Sequence, residues 1–271
     1  MSLRLNKDTT LCISLSARPS NIGTRFHNFL YEELGLNFVY KAFAPTSIED
    51  AIRGVRGLGI RGAAVSMPFK EAVIPLIDEL DPTAAAIESV NTIVNNAGFL
   101  TGYNTDFIAV HALIRTATTA RNCAVVYGSG GMAKAVVAAF ADLGFERIVV
   151  VARNKERGEY LAAKYGAAHV TEFVGTADVV VNATSIGMAG GEGQGQHSIP
   201  ETVVEKAHVV VDLVAVPART PLIQLALAHG KTVVVGTDIM TLQAVEQFVL
   251  YTGMRPAQEL IDHASEFSRA D

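Results

Sequence analysis

Residues 123–140 read CAVVYGSGGMAKAVVAAF and carry the strongest structural signal in this chain. Apolar residues typical of a strand lead into a glycine-rich turn, and an Ala/Val-rich segment with helical spacing follows. In such a unit Gly128 allows the tight turn, Gly130 lets a pyrophosphate approach the backbone, and small Ala133 lets the helix pack closely on the strand. The stretch therefore predicts a dinucleotide-binding unit, although alanine-rich strand-to-helix turns also occur without a ligand.

The end of the next predicted strand bears on the choice of dinucleotide. An NAD site usually has an acidic side chain about 20 residues after the glycines, where it holds the ribose 2′-OH. Here the strand ends in Ala152-Arg153-Asn154, with Arg157 one turn further on and no acid at the strand end. Because planar guanidinium groups bind phosphate oxygens in pairs, Arg153 and Arg157 favour the 2′-phosphate of NADP over NAD. Two solvated arginines that open a helix are the alternative.

The remaining pattern divides the chain into two α/β domains. Before residue 105, short apolar runs alternate with helical segments, which favours a parallel or mixed sheet covered by helices. Beyond the glycines, the predicted strands are continuous Val/Ile runs, which suit a parallel sheet buried on both faces. We therefore predict an N-terminal α/β domain with a mixed sheet over residues 1–104, completed by C-terminal helices over 237–271. A Rossmann-like, doubly wound parallel domain is predicted over 105–236.

Individual elements follow from periodicity and from turn residues. Predicted strands besides the one before the glycines are 11–15, 37–43, 62–67, 91–94, 99–103, 147–151, 178–181, 209–211 and 232–235. Predicted helices are 22–34, 47–58, 105–118, 155–165, 221–229, 240–251 and 257–267. Residues 95–98 predict a hairpin turn, since Asn and Gly tolerate positive φ. The glycine-rich segment 189–196 is predicted to be a flexible loop, with a closing lid as the alternative.

Composition excludes several classes of protein. The chain has 271 residues, of which 49% are hydrophobic and 18% charged, as is ordinary for a globular protein with large buried sheets. The net charge is −5 and no basic tract occurs, so we expect no nucleic-acid partner. No apolar run approaches the roughly 18 residues of a membrane span, and no signal-peptide core is present. We therefore expect a cytoplasmic protein without a membrane partner.

Cysteine and histidine usage predicts neither a disulfide framework nor a metal site. Cys12 and Cys123, the two cysteines of the chain, lie in apolar strand-like runs, which predicts buried, reduced thiols. The seven histidines show no metal-ligand spacing. With so few cysteines, we predict no structural metal.

Hydride transfer to a ketone also needs a proton donor near the developing alkoxide. Lys70 is a candidate because it follows a predicted strand that Pro68 closes, at the edge of what we expect to be the next helix. Asp106, in the segment GYNTD over 102–106, is a second candidate. Each has an alternative interpretation, Lys70 as an exposed lysine and Asp106 as a first-turn acid favoured by the helix dipole.

Taken together, the motifs are more specific than any one of them, and seven of them occur in one fixed order. They are VSMPFK (65–70), SVNTI (89–93), GYNTD (102–106), GSGGMA (128–133), NATSIGM (182–188), PARTPL (217–222) and Gln243-Ala244. In these motifs the chain resembles the shikimate dehydrogenase family over essentially its whole length. It looks closest to the shikimate dehydrogenase-like branch of that family.

This resemblance implies an NADP-dependent oxidoreductase that interconverts 3-dehydroshikimate and shikimate, or a close ring hydroxy acid. It implies that Lys70 and Asp106 exchange a proton with the reacting substrate oxygen, and that the N-terminal domain binds the substrate. The implied substrate contacts are Ser14, Ser16, Ser66, Asn91, Asp106 and Gln243. The cofactor contacts, from the resemblance and the glycine and arginine motifs, are Gly128, Ser129, Gly130, Gly131, Met132, Ala133, Arg153, Asn154, Arg157, Thr184, Ser185, Gly187, Met188, Leu213 and Gly236.

The chain departs from the family pattern at several positions. The family's N-terminal loop usually has Ser-x-Ser followed at once by Pro, and these serines hold the substrate carboxylate. Here Ser14-Leu15-Ser16 is followed by Ala-Arg-Pro-Ser, so Ser20 is a third candidate and Arg18 could add a charge contact. In addition, Ala215 replaces a frequent tyrosine, and Asp238-Ile239 replaces a Gly-Met pair beside the cofactor. We expect the core chemistry to persist with a shifted substrate preference.

Two alternatives to shikimate oxidoreduction stay open from the sequence. Within the same class, the chain could be a quinate or aminoshikimate dehydrogenase, and use of NAD would point toward quinate. From a different class, it could be a non-catalytic regulatory protein that binds a cofactor or metabolite, because fold alone does not prove activity. The presence of both Lys70 and Asp106 argues against that alternative. The expected partner is a small ring hydroxy acid, and we expect a monomer or a homodimer.

Overall fold

A computed structural model of the chain describes residues 5–270 and divides them into two units. The first unit contains the described residues up to Thr105 and those from Thr241 onward, and the second unit is Asp106–Met240. Twelve strands are β1 (Thr10–Leu15), β2 (Phe38–Phe43), β3 (Gly62–Val65), β4 (Glu79–Leu80), β5 (Thr92–Asn96), β6 (Phe99–Tyr103), β7 (Cys123–Tyr127), β8 (Arg147–Val151), β9 (Ala168–Val170), β10 (Val179–Asn182), β11 (Val209–Asp212) and β12 (Thr232–Val234).

The α-helices follow the same order along the chain. They are α1 (Asn21–Glu33), α2 (Ile48–Gly57), α3 (Pro82–Ala85), α4 (Thr105–Ala117), α5 (Gly131–Asp142), α6 (Lys155–Lys164), α7 (Glu201–Val204), α8 (Pro221–Ala228), α9 (Gly236–Thr252) and α10 (Gln258–Arg269). A 3₁₀ turn covers Ile74–Leu76. Within residues 5–270, no helix is both long and apolar enough to cross a bilayer.

The first unit is built on a mixed sheet with strand order β2-β1-β3-β5-β6-β4. β1 runs parallel to β2 and β3, whereas β5 is antiparallel to β3 and β6. Successive residues of a strand point to opposite faces, and β1 shows this directly. Ile13 joins an apolar cluster that includes α2, and Cys12 joins another that includes α1, α9 and α10. The sheet is therefore covered on both faces, and the predicted mixed sheet is confirmed.

Local signals in the first unit act largely as the sequence predicts. Ser47 caps α2, and its Oγ accepts a hydrogen bond from the Asp50 N–H at 3.0 Å. The 95–98 turn joins β5 to β6, although positive φ falls on Ala97 and Gly98 rather than on an asparagine. Asn95 stabilises the turn instead by accepting from the Gly98 N–H at 2.7 Å.

The second unit is built on a sheet with strand order β12-β11-β10-β7-β8-β9, in which every pairing is parallel. Its central strands are fully buried, as continuous valine runs predict. The strand order reverses at β7, since β8 lies on one side of it and β10 on the other. Chain segments leave this point in opposite directions, which opens a crevice outside the carboxyl ends of the strands. The predicted doubly wound α/β class is confirmed.

Several predicted details are wrong. Lys70 does not stand at the edge of a regular helix, because residues 68–73 form successive turns before the 3₁₀ turn. The sequence also misses β4, α3, β9 and α7, which are too short to show a periodic pattern. Cys12 is buried as predicted, and burial raises the pKa of its thiol to about 12. Cys123 is only partly buried.

Candidate cofactor and substrate sites

A cavity of about 1080 Å³ lies in the second unit at the carboxyl ends of the parallel strands. Its wall is formed by the segments that follow β7, β8, β9 and β10, together with residues 197–201. This is the edge of an open parallel sheet at which ligands usually bind. Among the predicted cofactor residues, the wall includes Gly128, Ser129, Gly130, Arg153, Asn154, Arg157, Thr184 and Ser185.

The glycines of the turn after β7 serve different purposes. Gly128 has φ 120°, and a Cβ at this position would lie 2.7 Å from the Ala183 carbonyl oxygen, so the backbone itself requires glycine. Gly130, by contrast, has open space where a Cβ would be. It stands at the N-cap of α5 without a side chain to occupy the first N–H groups. The open space and the free N–H groups together suit the close approach of a phosphate.

Both predicted arginines lie exposed at the cavity wall, at the start of α6. Asn154 is the N-cap of this helix, and its Oδ1 accepts from the Arg157 N–H at 3.0 Å. The side-chain oxygen of Asn154 therefore stabilises the helix and is not available to a cofactor. Glu172 and Glu201 also line the wall, so positive charge is concentrated at the start of α6 rather than spread around the cavity.

A buried polar network shapes the segments after β10 and β11. Asp212 is fully buried and accepts hydrogen bonds from Asn182 Nδ2 at 2.8 Å and from the Thr220 hydroxyl at 2.5 Å. Burial raises the pKa of Asp212, and these hydrogen bonds oppose that rise. Asn182 Oδ1 in turn accepts from the Thr184 hydroxyl at 2.6 Å. Sequence reasoning gave Asp212 and Thr220 no role, although Thr220 stands in the PARTPL motif.

The other predicted cofactor residues are not in the cavity wall. Gly131 and Met132 begin α5, and Ala133 is fully buried behind them. Gly187 and Met188 follow Thr184 in the loop, and Leu213 follows β11. At Gly236 a Cβ would lie 2.5 Å from the Val214 carbonyl, so this glycine permits close backbone packing. Contact of these residues with a cofactor stays a prediction.

In the first unit, two predicted substrate residues meet at Thr105. Asn91 is buried, and its Oδ1 accepts from the Thr105 N–H and the Thr92 hydroxyl, each at 2.8 Å. Gln243 Oε1 lies 3.3 Å from the Thr105 hydroxyl, which donates to it. Both amide oxygens are thus used within the protein. The amide nitrogens, Asn91 Nδ2 and Gln243 Nε2, are left as donors.

The candidate serines end two neighbouring strands of the same sheet. Ser16 follows β1, and its Oγ accepts from the Arg18 N–H at 3.2 Å. Ser66 follows β3 and donates its backbone N–H to Leu15 O at 2.9 Å. Ser14 lies within β1, and its interaction with buried Tyr40 opposes the rise in pKa that burial causes in that tyrosine. Ser20 stands at the N-cap of α1 but makes no side-chain cap bond.

The two predicted catalytic residues are both partly buried. Lys70 lies next to the strand segment that holds Asn91, because its carbonyl oxygen accepts from the Val90 N–H at 2.9 Å. Asp106 lies in the first turn of α4, directly after Thr105. By contacts, Lys70 belongs to the first unit and Asp106 is the first residue of the second. Their joint action stays a prediction.

One group of potential metal ligands occurs among residues 5–270. Glu201, Glu205 and His229 place their ligand atoms within 4.8 Å of one another. The two glutamates are exposed, and His229 Nε2 already lies 3.0 Å from Glu201 Oε1. Histidine spacing in the sequence did not reveal this group, and the absence of a structural metal stays a prediction.

Two family models match the chain, and each falls largely within one unit. The model described as the shikimate dehydrogenase substrate binding domain matches residues 20–93, and the one described as shikimate / quinate 5-dehydrogenase matches residues 111–220. A shikimate dehydrogenase-like protein of Haemophilus influenzae is 56% identical over 267 residues, which are 98% of each chain. The chain belongs to the shikimate dehydrogenase family. Shikimate dehydrogenase (NADP(+)) of Chlorobaculum tepidum is 36% identical over 87% of each chain.

Solved structures of shikimate dehydrogenase relatives share the fold over nearly the whole chain. A shikimate 5-dehydrogenase-like protein, 55% identical, matches with a TM-score of 0.97 and covers 98% of this chain and 100% of its own. Shikimate 5-dehydrogenase of Thermus thermophilus, in complex with NADP(H) and shikimate, is 28% identical, with a TM-score of 0.83 over 96% and 99%. Quinate dehydrogenase of Corynebacterium glutamicum, in complex with NAD, is 25% identical, with a TM-score of 0.85 over 96% and 98%.

Membership of the shikimate dehydrogenase family confirms the resemblance read from the seven motifs. Sequence reasoning nevertheless missed Thr105 as a separate polar group, although it stands inside the quoted GYNTD motif. The signal for it was present, because Thr105 directly precedes a candidate catalytic acid and stands two residues after the end of a predicted strand.

Proposed function

We propose that this chain is an NADP-dependent oxidoreductase that interconverts 3-dehydroshikimate and shikimate, or a close ring hydroxy acid. The observation that most supports this function is the cavity after β7 and β8, whose wall includes two arginines. The first unit also offers two amide donors, Asn91 and Gln243, and Asn91 directly follows the residue that bonds Lys70. Named relatives support the reaction class, since the Chlorobaculum tepidum protein is a shikimate dehydrogenase that uses NADP(+).

For the cofactor, the residues of the second unit fit NADP. The open space at Gly130 and the N–H groups at the start of α5 suit the pyrophosphate, and Arg153 and Arg157 suit the 2′-phosphate. No acidic side chain stands at the end of β8, where an NAD site commonly has one. When bound, NADPH supplies the hydride for ketone reduction, and NADP⁺ accepts it in the reverse direction.

For the proton, we assign Lys70 and Asp106. In ketone reduction the Lys70 ammonium gives a proton to the substrate oxygen as the hydride reaches the carbon, and in alcohol oxidation the neutral amine takes that proton back. Asp106 holds the lysine and the reacting hydroxyl in place. Two contacts around Asn91 support this assignment. The Lys70 carbonyl oxygen accepts from the N–H of Val90, which directly precedes Asn91, and Asp106 directly follows Thr105, which donates its N–H to Asn91 Oδ1.

For the substrate, each buried ring hydroxyl needs a partner, and Asn91 and Gln243 supply amide donors. We assign the carboxylate to Ser16, whose Oγ accepts from the Arg18 N–H and so leaves its own O–H to donate. Arg18 and Ser66 are placed at the same sheet edge to assist. Ser14 is the weaker candidate, because its side chain interacts with the buried Tyr40.

The decisive experiment is a parallel assay of NADP⁺ reduction with shikimate, quinate and aminoshikimate, repeated with NAD⁺. Turnover of shikimate with NADP⁺ supports the proposal. Turnover of quinate with NAD⁺ would instead favour a quinate dehydrogenase, a candidate supported by the NAD-bound quinate dehydrogenase of the same fold. Cofactor binding without turnover of any ring acid would favour a regulatory binding protein.

A further inference from the structure

A chain of five buried or partly buried polar side chains crosses the first unit at the start of β5 and the start of α4. Gln247 Nε2 donates to the Thr92 hydroxyl at 3.0 Å, and Thr92 donates to Asn91 Oδ1 at 2.8 Å. Thr105 contributes its N–H to the same Asn91 oxygen and its hydroxyl to Gln243 Oε1. Thr105 is fully buried.

The amide oxygen of Asn91 is identified by the donor that faces it. A backbone N–H can only donate, so the Asn91 atom that faces the Thr105 N–H must be the amide oxygen. Thr92 accepts from Gln247, and its own proton is therefore free to go to Asn91. The Asn91 oxygen then has two donors without the Thr105 hydroxyl, which lies further away, at 3.2 Å. The single proton of that hydroxyl is thus available to Gln243.

We propose that Thr105 is a positioning residue. By donating to both amide oxygens, it leaves Asn91 and Gln243 with only N–H groups to offer the substrate ring. Ring acids that carry an ammonium group opposite these N–H groups are therefore excluded. The inference rests on the proposed function, since it assumes that these two amides face the substrate ring.

The exclusion follows from the chemistry of the two substituents. A ring hydroxyl has lone pairs that accept from an amide N–H, whereas an ammonium group has three donors and no acceptor. Two N–H groups that meet an ammonium are left without an acceptor. Sites built to hydrogen-bond one group reject an analogue that leaves their buried polar atoms unpaired by factors of about 10⁴–10⁵. We expect at least ~100-fold here, since Gln243 is only partly buried.

The test compares shikimate with aminoshikimate on the wild-type chain, Thr105→Val and Thr105→Ser. Thr105→Val keeps the size and the N–H but loses the hydroxyl proton, so Gln243 can rotate and offer its oxygen. We expect it to raise KM for shikimate about tenfold, with a smaller change in kcat, and to cut the discrimination against aminoshikimate to below about tenfold. Thr105→Ser restores the hydroxyl and should keep wild-type discrimination, which a purely structural role would not predict.

A second variant keeps the inference testable if Thr105→Val does not fold. Gln243→Glu turns the donor into an acceptor while Thr105 still donates to it, so preference should shift toward aminoshikimate. Wild-type protein that accepts both acids equally, or a Gln243→Glu variant with unchanged preference, would overturn the inference.

Calorimetric binding of both acids in the presence of NADP⁺ separates the two proposals. Selective binding of the hydroxy acid without turnover would refute the proposed reaction and support the donor-only site. Turnover of shikimate with equal binding of both acids would support the proposed reaction and refute the donor-only site.

Discussion

The cavity of the second unit is formed mainly by backbone groups, whereas the amide network of the first unit is formed by side chains. The cavity depends on backbone, with a turn that only Gly128 permits and N–H groups left free at the start of α5. The network depends on side chains, since Asn91 and Gln243 are held by Thr105. A backbone site tolerates changes of side chain but no added Cβ, whereas a side-chain site fails when one hydroxyl or amine is removed. Each prediction below tests that difference.

The largest effect is expected from Lys70→Ala, because removal of a general acid–base group lowers kcat by about 10²- to 10⁴-fold. Lys70 lies in the unit without the cavity, so the Kd for NADP⁺ should stay unchanged. Steady-state kinetics and a fluorescence titration of the cofactor measure the two quantities. Lys41→Ala is the control, because Lys41 is an exposed lysine on β2 of the first unit. A Lys70→Ala enzyme with normal kcat would remove Lys70 from the mechanism.

Next in size is the contrast between Gly128→Ala and Gly130→Ala in the ligand-free protein. At Gly128 the added Cβ meets a carbonyl oxygen at 2.7 Å and φ is 120°, so unfolding should become easier by ~3 kcal/mol. At Gly130 the Cβ meets no protein atom within 4 Å, so stability should hold. Thermal unfolding measures both variants.

Gly130→Ala should nevertheless raise the Kd for NADP⁺ about tenfold or more, since the methyl group occupies the space for the phosphate. Unchanged cofactor affinity in this variant would mean that the open space at Gly130 serves no ligand.

Smaller effects are expected from Arg153→Ala and Arg157→Ala. Loss of one charge-assisted contact at an exposed site should raise the Kd for NADP⁺ ~10-fold and leave that for NAD⁺ unchanged. Arg147→Ala, at the opposite end of β8, is the matched control. If both variants bind NADP⁺ like the wild type, the arginines are simply solvated, and the cavity is a purely backbone site.

The smallest effect at near-neutral pH is the pH dependence that His27 gives to the stability of the first unit. His27 is fully buried and stacks on Tyr40 at 4.4 Å, with Tyr31, Tyr251 and Phe248 around it. Burial lowers its pKa from 6.5 to about 3. Below pH 6.5 the unfolded chain therefore binds a proton that the folded chain does not.

Stability should consequently fall as the pH drops from 6.5 toward 3, by at most about 1.4 kcal/mol per pH unit. Denaturant unfolding of the wild type and His27→Phe at several pH values measures this, because the variant keeps the ring packing and loses the titration. His263→Phe, on the exposed side of α10, should behave like the wild type. Parallel pH curves for all three proteins would show that His27 does not titrate.

The regular elements were predictable wherever local patterns are long. The strand, glycine turn and helix of residues 123–140 appear as β7 and α5, and Ser47 caps α2 as its spacing indicates. Short elements such as β9 were missed, since three residues show no period. The side chain of Asn28 makes two hydrogen bonds of 2.8 Å to the Tyr40 backbone, one to its carbonyl oxygen and one from its N–H. Its role depends on contact with β2, which a local sequence pattern does not predict.

The site shows the same division. The sequence alone determined the dinucleotide turn, the arginines after β8 and membership of the family, because φ preferences and motif order act along neighbouring residues. Only the tertiary structure decided that Thr105 joins Asn91 and Gln243, residues 14 and 138 positions away from it. Which amide atom faces a ligand depends on the donors around it, and those donors come from strands and helices that meet only after the chain has folded.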